Sequence, residues 1–338
     1  MERALMQDEQ LRERIKAYPG TLTYIDLIRK NKRESAVLVA LMILLGGVIG
    51  CLIGGAIAMG ATREDMVVSA VIGFGAALVV ACLGALWSWF GGSSAILRMS
   101  GAVEITRESD LELFNVVDEM RIAAGLPMPR VYLIPETALN AFATGRDPEH
   151  AAVAITTALR QKLTRDELQG VIAHEVAHIR HYDIRFSMLM ATMVGLIVFA
   201  CDAFLRGARH GMVRGARRSS GKNEGAAMVV LFVLAMVLAL IAPLLARVIQ
   251  MAYSRKREYL ADAGAVELTR NPLGIAGALR KLADDTEPLV EAANRGTAHM
   301  FIMNPLRKCR RSHGEKSSLF SSHPPVSERI ARLMALTR

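Results

Sequence analysis

Val171–Asp183 reads VIAHEVAHIRHYD. It follows Thr164-Arg-Asp-Glu167, a capping box in which the Thr164 hydroxyl and the Glu167 carboxylate satisfy backbone amides at a helix start. On the helix so opened, residues four apart stand one above the other, so His174 and His178 present two imidazoles to one point in space. Glu175 is turned about 100° from His174. It can reach a water beside a metal held by the two histidines without binding the metal itself. The plainer alternative is a pair of histidines on a polar helix face. A chance HExxH in a chain of this length is a roughly one-per-cent event, and a third ligand strengthens the metal reading.

Catalytic zinc takes three protein ligands and leaves one position for water. His181 lies three residues past His178 on the continuing helix, and one helix does not easily wrap three ligands tetrahedrally. Ser254–Ala265, SRKREYLADAGA, offers Glu258 and Asp262, again four apart on an expected helix. Glu258 can bind zinc, and Asp262 can accept a hydrogen bond from a ligating imidazole. The alternative is a solvated face paired with Arg255 and Arg257, and spacing alone does not choose between the two.

Working outward, the 338-residue chain is 52% hydrophobic, more than a soluble domain needs. Ala36–Met59 and Met66–Phe90 carry no charge, and each exceeds the roughly 20 residues that cross a hydrocarbon core. Two further apolar segments follow, Phe186–Leu205 with Asp202 near its end and Ala226–Ile249 with Arg247. The first segment is too long, and preceded by too much polar chain, for a cleavable signal peptide. Gly46, Gly50 and Gly54 recur every fourth residue, which predicts close packing of a neighbouring helix. Arg29, Lys30, Lys32 and Arg33 precede the first span, whereas Gly60–Asp65 has only Arg63. The positive-inside rule therefore puts the N-terminus, and everything from Gly91 onward, in the cytosol. The connection Arg206–Lys222 is rich in arginine and conflicts with that rule if the later pair of segments spans. His178 and Glu258 lie on either side of the pair, so both segments cross or neither does. Their length favours crossing. Cys51, Cys82, Cys201 and Cys309 show no CxxC spacing and predict no disulfide framework.

Between the apolar pairs, Ser109 is placed to cap a helix carrying Leu111, Leu113, Val116, Val117 and Met120, closed by Gly125. Val131–Ile134 and Ala152–Thr156 read as strands.

The chain resembles the HtpX-type membrane zinc metallopeptidases, relatives of the CAAX prenyl proteases, from Ala36 to the C-terminus. The resemblance is carried, in order, by NAFATG (Asn140–Gly145), HEVAH (His174–His178), SRKREYLAD (Ser254–Asp262), FIMNPL (Phe301–Leu306) and LFSSHPPVSERI (Leu319–Ile330). It implies one Zn2+ per chain, held by His174, His178 and Glu258, with Asp262 supporting a ligating imidazole. It implies that Asn140, Ala141, Phe142 and Ala143, continuing to Thr144, form an edge strand that pairs with substrate backbone. It places His323 near the active site, as a donor to the developing oxyanion; the alternative for His323 is a helix-entry residue ahead of Pro324 and Pro325. Two features depart from the family pattern: a longer N-terminal arm and the basic connection.

The fold expected is a mainly α membrane protein with a gluzincin-like α+β catalytic domain, its helical membrane hairpins joined to a small sheet beside the HExxH helix. The parts are a cytosolic arm (1–35), membrane helices at 36–59 and 66–90, a first catalytic part (91–185), a second apolar hairpin (186–249), and a second catalytic part (250–338). The expected function is a zinc endopeptidase of the bacterial inner membrane, working at the cytosolic face under stress on misfolded or damaged membrane proteins. Its expected partners are protein or peptide substrates and the lipid bilayer. A zinc-stabilised scaffold without proteolysis is the alternative, and Glu175 argues against it. A metal transporter needs ionisable residues in mid-span, and the first two spans have none. The net charge of +9 suggests nucleic acid only weakly, because Arg206–Arg218 and Arg307–Arg311 read more simply as solvated or headgroup-facing.

Overall fold

A computed structural model describes residues 24–58, 62–208, 224–285, 302 and 323–337. The arm before Tyr24, residues 209–222 of the basic connection, Arg307–Arg311 with Cys309, Leu319–Ser322, and all of FIMNPL except Ile302 lie outside them. The chain divides into two units, Met1–Val37 and Leu38–Arg338. The described part of the first is the opening of helix α1 (Tyr24–Ile57); the architecture below belongs to the second.

Helix α2 (Arg63–Met99) starts at a capping box between Thr62 and Asp65. It packs on α1 through glycines. A Cβ on Gly54 would lie 2.2 Å from the Ser69 carbonyl oxygen, and one on Gly73 would lie 2.2 Å from that of Gly50. Backbones this close admit no side chain. Gly46, expected to share this seam, has nothing within 4 Å. Gly73 of the partner helix takes part in its place.

Among the described residues, four helices are long and apolar enough to cross a membrane: Ala36–Ile57 of α1, α2, α6 (Asp183–Gly207), and Phe232–Met251 of α7 (Glu224–Thr269). Val71, Ile72, Leu83, Phe199 and Leu240 turn outward, an apolar surface suited to lipid rather than water. Met42, Ile49, Phe186, Met190, Met193, Ala239 and Ala242 fill the space between the helices.

The remaining helices and strands pack around a small sheet. They are β1 (Val103–Glu104), α3 (Leu111–Ala124), β2 (Arg130–Ile134), β3 (Ala141–Thr144), β4 (Ala152–Thr156), α4 (Thr157–Lys162), α5 (Arg165–Arg180), α8 (Pro272–Ala283) and α9 (Val326–Met334). The sheet order is β1-β2-β4-β3. The inner pair β2/β4 is parallel and the outer pairs are antiparallel, which leaves β3 at an edge. Helix α3 is capped by Asp110, not Ser109: the Asp110 carboxylate accepts the Leu113 amide at 3.0 Å. Arg160 grips that carboxylate at 2.7 and 2.9 Å, while the Ser109 hydroxyl faces Thr106 in the preceding turn. Gly125 closes α3 in the left-handed conformation, as expected.

Helix α5 carries the HExxH residues and is buried nearly all round. Leu168, Val171, Ile172, Val176 and Ile179 pack against Val116, Val117 and Met120 of α3 and Ile275 and Leu279 of α8. Two close crossings hold it. A Cβ on Gly170 would stand 2.5 Å from the Ile275 nitrogen, and one on Gly264 of α7 would stand 2.8 Å from the Ala177 Cβ. Helix α7 runs unbroken for 46 residues out of its apolar segment, because SRKREYLADAGAVEL is rich in good helix formers. It therefore delivers Glu258 and Asp262 about two to three turns beyond the apolar span.

Candidate active site

His174 and His178 rise from one face of α5, and Glu258 faces them from α7. The two Nε2 atoms are 3.2 Å apart. Glu258 Oε1 is 3.6 Å from His178 Nε2, and Oε2 is 3.8 Å from His174 Nε2. A four-coordinate ion with bonds near 2.0–2.1 Å needs donors separated by about 3.4 Å. The three separations bracket that value, and two imidazoles with a carboxylate are a donor set that fits zinc. His181 is also buried, but it caps the end of α5 and stands outside the group of three.

The far side of each imidazole meets a carboxylate. His174 Nδ1 lies 3.0 Å from Asp262 Oδ1, and His178 Nδ1 lies 3.1 Å from Asp183 Oδ2. Each aspartate is in turn held by a buried guanidinium. Arg329 donates to both oxygens of Asp262 at 2.8 and 2.7 Å. Arg257 Nε lies 3.2 Å from Asp183 Oδ1, and its Nη1 donates to the Asp183 carbonyl at 3.0 Å. Two arginine–aspartate–histidine chains thus converge on one point. They orient the rings with Nε2 inward and Nδ1 engaged. Tyr182, at φ 62, turns the chain between α5 and α6 so that Asp183 comes beneath His178.

Sequence reasoning assigned no role to Asp183 or Arg329, and offered Arg257 only as a partner on a solvated face. For Glu258 and Asp262 the open alternative was a solvated face paired with Arg255 and Arg257. The two carboxylates are 4% and 5% exposed, so that face is not solvated, and Arg257 pairs with Asp183 instead. A signal for Arg329 was present. It shares a helix face with Val326 and Leu333 at spacings of three and four, so a cation occupies a core-facing position of an amphipathic helix.

Burial sets the electrostatics. It pushes the Glu175 carboxyl up to about 7, and the Ala143 backbone amide donates to that carboxyl. Burial opposes charge on Glu258, but His323, Arg329 and His178 outweigh it and hold the carboxyl well below its usual range. Burial likewise opposes charge on His178, yet Asp183 and Glu258 raise it to about 10. His174 is lowered by burial despite Asp262. His323, just ahead of α9, is buried, and its Nδ1 lies 3.2 Å from Glu258 Oε2. Its Nε2 has no hydrogen-bond partner among the described residues.

The four residues Asn140 to Ala143 lie beside α5 at the sheet edge. Asn140 turns its main chain toward β4: its carbonyl accepts the Thr156 amide at 2.9 Å, and its amide donates to the Thr156 hydroxyl at 3.0 Å. Ala141 and Ala143 face outward by alternation, and Phe142 faces β4.

Residues 107–337 match the model of peptidase family M48. The chain belongs to peptidase family M48. Proteins named "Protease HtpX homolog" are similar to it over most of its length. One from Ligilactobacillus salivarius is 41% identical over 306 residues, covering 90% of this chain and 97% of that protein. One from Desulforapulum autotrophicum is 40% identical over 303 residues, covering 90% and 89%. The crystal structure of S. mikatae Ste24p matches with a TM-score of 0.46 at 18% identity, covering 75% of this chain and 56% of that one. The M48 chain is therefore a membrane metalloprotease, mainly helical, with a small mixed sheet beside its HExxH helix. The resemblance read from its motifs holds.

Proposed function

We propose that the protein is a zinc endopeptidase of the bacterial inner membrane, cleaving misfolded or damaged membrane proteins at the cytosolic face. The observation that carries this reading is the convergence of His174, His178 and Glu258, whose donor atoms all lie within 4.8 Å of one another, with Glu175 buried on the same helix. Zinc held by these three residues would supply Lewis acidity, polarising the scissile carbonyl and acidifying water. Glu175 takes the proton of the attacking water and passes it to the leaving amine. Its carboxyl, raised toward 7 by burial, suits a group that must both accept and donate near neutral pH. His323 donates from its open Nε2 to the oxygen on which charge develops. Asp262 and Asp183 hold the two imidazoles in register. The β3 edge, with Asn140 just ahead of it, aligns the substrate main chain through those of its groups that face away from β4.

In this reading residues 91–185 and 250–338 are two parts of one catalytic domain, separated by a membrane hairpin at 186–249. Arg29, Lys30, Lys32 and Arg33 ahead of the first span support a cytosolic N-terminus. The meeting of His178 and Glu258 requires α5 and the far end of α7 to share a side, so both later segments cross or neither does, and their length supports crossing. The relatives' name, protease HtpX homolog, supports a role in protein turnover.

Chelation tests the chemistry. A membrane-protein substrate should be cut by the detergent-purified protein, spared after metal removal, and cut again once zinc is restored. Cysteine labelling tests the topology: on a cysteine-free background, Thr62→Cys and Arg214→Cys should both label from outside the cell. Labelling of Thr62→Cys alone would mean that the second hairpin does not cross.

A further inference from the structure

The edge of β3 is already closed at one end by the chain itself. The Ala141 carbonyl, which points away from β4, accepts the Ile302 amide at 2.9 Å. The Ala141 amide donates to the Asn140 side-chain oxygen at 3.0 Å. Both outward main-chain groups of Ala141 are therefore taken. At the next outward residue, the Ala143 amide is directed at Glu175, and the Ala143 carbonyl has no partner among the described residues.

Ile302 is fixed rather than loosely laid on the edge. Its side chain is 2% exposed within the core that includes α5 and α9. Its carbonyl accepts Arg329 Nη1 at 3.2 Å, from the same guanidinium that holds Asp262 and stands 3.0 Å from Glu258 Oε2. Displacing Ile302 would expose a buried isoleucine and strip a carbonyl from a buried cation. The gain would be one main-chain hydrogen bond. Each of those losses is larger than that gain.

We infer that Ile302 is a built-in stop that ends the substrate-pairing edge at Ala143, so that main-chain recognition of the substrate begins at the Ala143 carbonyl and does not extend to Ala141. A substrate then needs only a short extended segment, held at the residue beside Glu175. Beyond the stop it must leave the sheet plane and be recognised by other means. This rests on the edge-strand reading above, and the test separates the two.

The probe is a synthetic peptide spanning a cleavage site mapped in casein, bound to the full-length Glu175→Gln protein in detergent. Methylating its amide nitrogens one at a time removes single main-chain donors. At least one position should weaken binding about three- to tenfold, the effect of one lost hydrogen bond. If no position matters, the edge-strand reading itself fails. Residue-resolved hydrogen exchange then reads the Ile302 amide with and without peptide. Unchanged protection is the result expected. Faster exchange on peptide binding would mean that the substrate displaces Ile302 from Ala141, and would overturn the stop while leaving the edge-strand reading intact.

Discussion

Arg329 grips both carboxylate oxygens of Asp262, Nε to Oδ2 at 2.8 Å and Nη2 to Oδ1 at 2.7 Å, with both residues buried. The pair joins the last helix to the long membrane-derived helix, and through Asp262 it reaches His174. Cutting one partner out of a buried, hydrogen-bonded ion pair leaves the other charge unmatched, at a cost of about 3–5 kcal/mol. Arg329→Ala is therefore expected to lower thermal stability in detergent sharply. Arg329→Lys keeps a charge but loses the fork, so it should fold and bind zinc more weakly, by about 10–100-fold. Thermal unfolding and a chelator competition measure the two effects. Wild-type affinity in Arg329→Lys would remove this chain from the account.

Asp183 plays the matching part for His178. Asp183→Ala takes the acceptor from His178 Nδ1 and the carboxylate from beside Arg257 Nε. Zinc affinity should fall by about 10–100-fold, the usual cost of losing such a partner. His181→Ala should leave zinc affinity unchanged, because His181 stands outside the converging group. Metal analysis of the two variants side by side checks the contrast.

Much of this site was legible locally. The capping box, the HExxH face and the four-residue spacing of Glu258 and Asp262 are all short-range patterns, and they survive in the fold. What was missed depends on long-range contacts. Arg329 finds Asp262 across 67 positions, and Arg257 finds the Asp183 carbonyl across 74; no periodicity announces such pairs. Gly46 looked equivalent to Gly50 and Gly54 because fourfold spacing fixes a helix face but not where the neighbouring helix approaches it.

The charge states predict how metal binding depends on pH. Without metal, His178 is raised from 6.5 to about 10 and Glu175 from 4.5 to about 7. Both folded values lie above the unfolded ones. The stability that each proton confers on the metal-free fold is complete below the unfolded value. It is lost as pH rises, through about 7 for Glu175 and about 10 for His178. A metal must displace the His178 proton, so binding near pH 7.5 should release about one proton. Calorimetry in buffers of different ionisation enthalpy reports that number. Zinc should also raise the melting temperature more at about pH 8.5 than at about pH 6. An equal shift at both would contradict the assignment.

Gly264 lets α7 come close enough to α5 for Glu258 to meet the histidines. Gly264→Val places carbon where Ala177 already stands, and overpacking of this kind costs about 1–3 kcal/mol. Separation of the helices should also weaken zinc binding. Gly195→Ala, where nothing lies within 4 Å, should do neither. Unfolding and metal affinity of the two variants provide the comparison.

The central claim, that Glu175 is the proton acceptor of a hydrolytic metal site, is tested most directly by Glu175→Gln. The substitution keeps the side-chain volume and leaves His174, His178 and Glu258 untouched, but removes the basic oxygen. The measurement is the rate of cleavage of a protein substrate by purified wild type and variant, each with its zinc content determined. The account predicts a folded variant with full zinc and a rate lower by at least about 10²-fold, the lower end of what a positioned general base contributes. Cleavage by a zinc-loaded Glu175→Gln at the wild-type rate would contradict it.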